Sequence, residues 1–212
     1  MAKTIGRILK YTVFALILFV YVFLMFRMCG VSDSKTMSEF IWNEESVTAY
    51  NNNPGSFKIT IVNKKDSALT SDGKFAVSNI HITGTGQIQF TIRYNNSTVK
   101  QIIKDYKLET EPVGEPFIYI LTNTNTGETF RSYQYVAEKK LIYNYRKIIF
   151  DGIDLNEKNY CVDIYYCADV NFNKAPYGTL PLIFAISEEV EISKTPVKDN
   201  RLMVNPVYPI KN

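Results

Sequence analysis

Hydrophobic positions along the chain follow two different patterns. The first is continuous. Residues 11–26 read YTVFALILFVYVFLMF, with no charge and no proline. A bilayer core needs about 20 apolar residues. Lys10 and Arg27 can snorkel to the interface, so residues 8–29 supply that length. No face of the stretch is polar, which argues against a helix lying on a soluble core. The small residues that precede a cleavage site are missing, because Phe26, Arg27 and Met28 stand before Cys29. The same residues argue against lipid attachment at Cys29. The pattern therefore predicts an uncleaved membrane anchor over 11–29, preceded by a tail of residues 1–10.

The second pattern alternates with period two and predicts strands. Residues 30–55 come first as a polar linker, closed by the break Asn51-Asn52-Asn53-Pro54-Gly55. Within it, Met37, Phe40, Ile41 and Glu44 predict a short helix capped by Ser34, with Trp42 expected to dock on the domain, the alternative being a place near the membrane surface. Strands are then predicted around Phe57, Ile59 and Ile61; Phe75, Val77 and Ile80; and Ile88, Phe90, Ile92 and Tyr94. Gly84-Thr85-Gly86 makes the hairpin turn before the last of these. Val99, Ile102, Ile103 and Tyr106 change to helical spacing. With Thr98 and Gln101 as a capping box, they predict one short helix near 99–106. Further strands are predicted at 117–121, 130–136, 141–150, 160–170 and 180–187, the last extended by Val190 and Ile192. Eight or nine short strands with frequent turns over 56–193 predict a β-sandwich or barrel, and the pattern of Leu155, Tyr160, Val162 and Ile164 favours the β-sandwich. Three prolines after Thr195 predict an extended tail over 194–212.

Charge adds an orientation. Lys3, Arg7 and Lys10 precede the apolar run, and Arg27 and Lys35 follow it with Asp33, which favours a cytoplasmic N-terminus and an extracytoplasmic domain at the plasma membrane. The net charge of +3 belongs to the anchor: setting aside Lys3, Arg7, Lys10 and Arg27, 20 basic residues face 21 acidic ones. A near-neutral domain lacks the footprint of a nucleic-acid binder, so none is expected as a partner.

Candidate chemistry is sparse. Cys161 and Cys167 are six apart in one predicted strand, about 20 Å at 3.3 Å per residue, too far for a disulfide. They are expected as unpaired thiols. His81 is the only histidine and alternates with Ile80 and Ile82, which predicts a surface or rim position. Glu109, Glu111 and Glu115, or Asp151 and Asp154, could serve a carboxylate-type hydrolase, but in loop-like stretches they are expected as solvated charges. No phosphate-binding loop or calcium loop is present in the sequence, and no enzyme activity, metal or cofactor is expected. The overlapping sequons at Asn95 and Asn96 are short enough to arise by chance.

Leu155, Tyr160, Val162 and Ile164 resemble the start of the strand that bears the tyrosine corner in immunoglobulin-like domains, an analogy of fold alone. Aromatic residues make up 14 % of the chain, with 15 Tyr. Tyr133 and Tyr135 share a strand face, as do Tyr143 and Tyr145; with Arg131 and Arg146 they form the candidate interaction surface. Large aromatics normally form the core of such domains, so the preferred expectation is that most of these rings fill the core and cover its rim. Together these features predict a membrane-anchored β-domain acting as a protein interaction or scaffold module of a cell-envelope assembly. The alternative is a domain that binds cell-wall or surface glycans.

Overall fold

The computed structural model describes residues 2–26, 35–62, 68–70, 73–105, 107, 115–132, 134–157, 159–167, 174–182 and 186–204. Helix α1 (Ala2–Phe26) opens the chain. It is continuous from Ala2, so the expected separate tail is helical. The span Thr4–Phe26 is long and apolar enough to cross a membrane. At 1.5 Å per residue it measures about 35 Å, against about 30 Å for a bilayer core. Its apolar side chains are exposed, so no protein core accounts for them.

Two short helices follow, α2 (Lys35–Ser38) and α3 (Glu44–Asn52). The single helix expected near Met37 to Glu44 is divided: Met37 lies in α2, Glu44 opens α3, and residues 39–43 cross between them without helix. Asn43 stops helix formation upstream and starts α3. Its side chain accepts from the Ser46 amide at 3.0 Å, and the Ser46 hydroxyl accepts from the Asn43 amide at 3.0 Å. Glu44 and Glu45 then sit where the helix dipole favours carboxylates. Ser34 lies outside the described residues.

The strands are β1 (Ile59–Val62), β2 (Ala68–Leu69), β3 (Phe75–Thr83) and β4 (Ile88–Asn95). After them comes α4 (Thr98–Asp105), then β5 (Phe117–Asn123), β6 (Thr129–Arg131), β7 (Gln134–Lys139) and β8 (Tyr143–Phe150). The last are β9 (Tyr160–Cys167), β10 (Lys174–Leu182), β11 (Ile186–Val190) and β12 (Met203–Val204). The described residues are mainly β. The larger sheet runs β11-β1-β3-β4-β8-β7-β12, with β2 on β3, and the smaller runs β10-β9-β5-β6. All pairings are antiparallel.

Two expected strands divide. The run 130–136 is split between β6 and β7 by Ser132, and the run 180–192 between β10 and β11; each pair lies in opposite sheets. Alternation alone cannot show such a crossing, because the hydrophobic face remains inward on both sides of it.

One core lies between the sheets. Phe75, Val77, Phe90, Ile92, Tyr94, Ile148 and Phe150 from the larger sheet meet Phe117, Tyr119, Leu121, Val162 and Ile164 from the smaller. Phe75, Tyr94 and Phe117 form an edge-to-face triangle with centroids 4.9–5.6 Å apart. Helix α4 closes this core, burying Ile102 and packing Val99 and Ile103 against it. At Gly86 the backbone is left-handed (φ 83°), and a Cβ would meet the Ile153 carbonyl oxygen at 2.5 Å; the Gly86 carbonyl in turn accepts from the Ile153 amide at 2.8 Å.

The outer face of the larger sheet carries a second core. Met37 and Ile41 cover Val136, Tyr145 and Ile149, with Tyr143 and Leu202 at its margin. The expected linker is thus fastened to the domain over much of its length. The expected tail is also docked as far as Val204, through β12 on β7 and a bond from the Asp199 amide to the Trp42 carbonyl.

Candidate functional site

The most elaborate polar arrangement among the described residues is the fastening of residues 37–43. It is built on the outward positions of β4 and its neighbours. On β4, Ile88, Phe90, Ile92 and Tyr94 point into the sandwich, leaving Gln87, Gln89, Thr91 and Arg93 on the opposite face. Gln89 holds Ile41 as a strand neighbour would: its Oε1 accepts from the Ile41 amide at 2.9 Å and its Nε2 donates to the Ile41 carbonyl at 2.6 Å. Thr91 Oγ1 donates to the Met37 carbonyl at 2.6 Å. Gln87 Nε2 donates to Asn43 Oδ1 at 3.0 Å and to Asp151 Oδ1 at 2.6 Å. Side chains of one strand thereby satisfy the backbone of an extended segment that joins no sheet.

Lys147 and His81 complete this layer, at 0 % and 1 % exposure. Lys147 Nζ donates to the Asn79 carbonyl at 3.1 Å, reaches the Met37 carbonyl at 3.5 Å and lies 3.0 Å from His81 Nδ1. Asn79 offers that carbonyl because its left-handed conformation (φ 52°) sits in the irregular stretch where the β3–β4 register shifts. His81 is therefore interior, not on the rim as its isolation in sequence suggested. Alternation placed it opposite the sandwich core correctly, but the docked segment turns that face into a second interior.

Burial, reinforced by the Lys147 charge, pushes the His81 imidazole down from 6.5 to about 3. The unfolded chain therefore takes up this proton first. The stability is fully present above about pH 6.5 and is lost as pH falls toward 3. Each pH unit in that window costs about 1.4 kcal/mol, or 2–3 kcal/mol by pH 4.5. Urea unfolding between pH 7 and 4.5 measures this, and His81→Gln flattens the slope.

The residues of the expected interaction surface do not form one. Tyr145 is fully buried on the outer core beneath the docked segment, and Tyr143 lies beside it under the Arg93 guanidinium. Tyr135 pairs with Ile148 and packs on the inner core, the opposite face of the sheet. Arg131 is half-buried on β6, in the other sheet. Tyr133 lies outside the described residues.

Arg146 is also interior. Its guanidinium is ion-paired with Glu115, donates to the Tyr145 carbonyl at 2.9 Å and lies over the Tyr94 ring at 5.6 Å. Glu115 accepts from Tyr119 Oη at 3.2 Å. Glu115 is thus a buried, paired carboxylate rather than the solvated charge expected. Burial outweighs the neighbouring guanidinium and raises its pKa above the usual carboxylate range. Glu109 and Glu111 lie outside the described residues. Asp154 is exposed in the β8–β9 connection, and no group of three metal-ligating side chains occurs among the described residues.

Cys161 and Cys167 do share strand β9, and Cys161 is a free, partly buried thiol. Burial and then Asp163 beside it push that thiol up, which disfavours the reactive thiolate. Facing the other way, Val162 and Ile164 are buried in the core.

A cleft of about 320 Å³ opens where the docked segment meets the strap after β11. Phe40 and Trp42, 5.0 Å apart and edge-to-face, line it with Glu39, Glu191, Asp199 and Arg201. Trp42 also packs on Tyr50 and Phe57, at 5.8 and 5.4 Å. Sequence reading identified Trp42 as docked but missed the cleft, whose walls come from residues 150 positions apart. No protein-family model, curated protein or solved structure matches this chain. The functional argument therefore rests on geometry.

Proposed function

We propose that this chain is a membrane-anchored scaffold module: α1 spans the plasma membrane with its N-terminus in the cytoplasm, and an immunoglobulin-like sandwich stands outside to engage a protein partner of a cell-envelope assembly. The carrying observation is the fastening of residues 37–43 by Gln89, Thr91 and Lys147. Only residues 27–34 separate α1 from α2. Eight residues reach at most about 30 Å, so the domain is held close to the bilayer by a segment that is part of its own packing. A scaffold needs that fixed placement; a binder that searches for ligand is better served by a long free tether.

The immunoglobulin-like reading draws support from topology. Strands β3-β4-β8-β7 facing β10-β9-β5-β6 follow the order A-B-E-D against G-F-C-C′. Tyr160 at the start of β9 donates from its hydroxyl to the Asp154 carbonyl at 3.0 Å, as a tyrosine corner does. Strands β1 and β11 then extend the A-B-E-D sheet beyond its usual edge.

One observation favours glycan binding as the second reading. The Phe40–Trp42 cleft joins apolar ring area to carboxylates and a guanidinium, the mixture that a sugar face and its hydroxyls require. One experiment separates the two. The tagged full-length chain is purified gently from native membranes, and Trp42 emission is followed during titration with cell-wall polysaccharide. The scaffold reading expects a stoichiometric protein partner and unchanged emission. Saturable emission change without a partner replaces it with the glycan reading, and neither response removes both.

A further inference from the structure

Among the described residues outside α1, exposed large apolar side chains are few, and Leu141 is one of them at 63 % exposure. It occupies the tight turn between β7 and β8, in the sequence Lys139-Lys140-Leu141-Ile142. This turn is rigidly built. The Lys140 amide donates to the Tyr143 carbonyl at 2.8 Å. Asn96, from the neighbouring connection, braces it: Nδ2 donates to the Lys140 and Leu141 carbonyls at 3.0 and 2.8 Å, and its amide donates to the Ile142 carbonyl at 2.8 Å. Asn144 Nδ2 holds Asn96 Oδ1 in turn, at 2.7 Å. The network fixes the turn and with it the outward setting of the Leu141 side chain.

Two observations bear on what it faces. First, the docked segment gives the sheet a direction. Met37 lies level with Thr91, Ile41 with Gln89 and Asn43 with Gln87, so the chain runs antiparallel to β4. Traced backward from Met37, it heads for the end of the sheet where Asn95 pairs with Tyr143, the end that carries Leu141. The docked segment therefore begins toward this end of the sheet. Second, Leu141 lines one apolar hollow of about 390 Å³ with Tyr21, Val22, Met25 and Phe26, the last two turns of α1. Lys139, Lys140, Arg93 and Lys74 stand at the same end of the sheet, with Glu138 and Asp105 as the acids beside them.

From this we infer that the β7–β8 turn is a second membrane contact: Leu141 enters the bilayer interface beside the end of α1, and Lys139 and Lys140 meet anionic phospholipid headgroups. The inference rests on the anchor reading above. It fixes the orientation of the sandwich, with the Gly84–Gly86 and Asn123–Gly127 turns pointing away from the membrane.

The test uses the full chain in vesicles of phosphatidylcholine and phosphatidylglycerol whose acyl chains are brominated near the headgroup. Leu141→Trp adds an indole at the turn, Thr85→Trp adds one at the far end, and wild type supplies the Trp42 background. The inference expects blue-shifted, strongly quenched emission from Leu141→Trp and no added quenching from Thr85→Trp. Replacing phosphatidylglycerol by phosphatidylcholine weakens the quenching. Protein that stays in the vesicles after alkaline carbonate but shows an unquenched indole at 141 overturns this inference alone. Equal quenching at both positions also overturns it. Protein stripped by carbonate overturns the anchor, and the inference with it.

Discussion

Replacing Arg146 with methionine lowers the unfolding free energy of the domain by about 3–5 kcal/mol, because it strands a buried carboxylate. Methionine keeps most of the apolar stem that packs at the core edge, so the loss reports on charge rather than volume. Glu115 is only 6 % exposed at its side chain, and the partners left to it are neutral, the Tyr119 hydroxyl and the Phe117 backbone amide. Glu115→Gln in the same chain removes the stranded charge and recovers part of the loss. Urea titrations of the wild type, both single variants and the double variant give the coupling directly. A double variant no more stable than Arg146→Met means that the pair contributes through packing alone.

Shortening the chain to begin at residue 54 abolishes cooperative folding, whereas a chain beginning at residue 35 melts in one transition. The shorter chain contains every residue of the sandwich core, so strand pattern alone would call it sufficient. It lacks Met37 and Ile41, which are 0 % and 2 % exposed. Burying two such side chains contributes about 3–6 kcal/mol, a large part of the 5–15 kcal/mol that an ordinary domain possesses. Their removal also bares Tyr145 and Ile149 and opens His81 and Lys147 to water. The single variant Met37→Ala costs about 2–5 kcal/mol by the same reasoning. Thermal circular dichroism of the three chains checks the series. A chain from residue 54 that melts as sharply as the longer one makes the docked segment dispensable.

These two expectations mark where sequence reading succeeds and where it stops. The long apolar helix at the N-terminus, the short helix at 98–105 and the inward faces of β3, β4, β5, β8 and β9 are legible, because each depends on local periodicity. Gln87, Gln89 and Thr91 look like the wet face of a half-exposed strand, since alternation distinguishes two faces but not what covers them. One local signal was available: three uncharged polar residues in a row of outward positions, followed only then by Arg93, suit a face that is covered rather than washed. The docked segment itself hides for a different reason. Residues 44–52 have little apolar periodicity, and Ile41 and Asn43 are held by side chains 48 and 44 positions away, which no window can sense. Arg146 and Tyr145 are adjacent in sequence, and composition alone leaves open whether they share an exposed surface or fill the core. They are buried on opposite faces of the same strand.

The central claim is that residues 37–53 belong to the folded domain and couple it to its anchor. Hydrogen exchange of the full-length protein in lipid nanodiscs tests it most directly. The amides of Ile41, Val47 and Asn53, bonded to Gln89, Asn43 and Ala49, are predicted to exchange as slowly as the strands of the sandwich. Gln89→Leu is predicted to speed exchange at Ile41 while leaving β5 and β9 protected. Exchange across 37–53 at the rate of an unstructured peptide in the wild type would contradict the account, returning the segment to a free tether and removing the chief support for a scaffold.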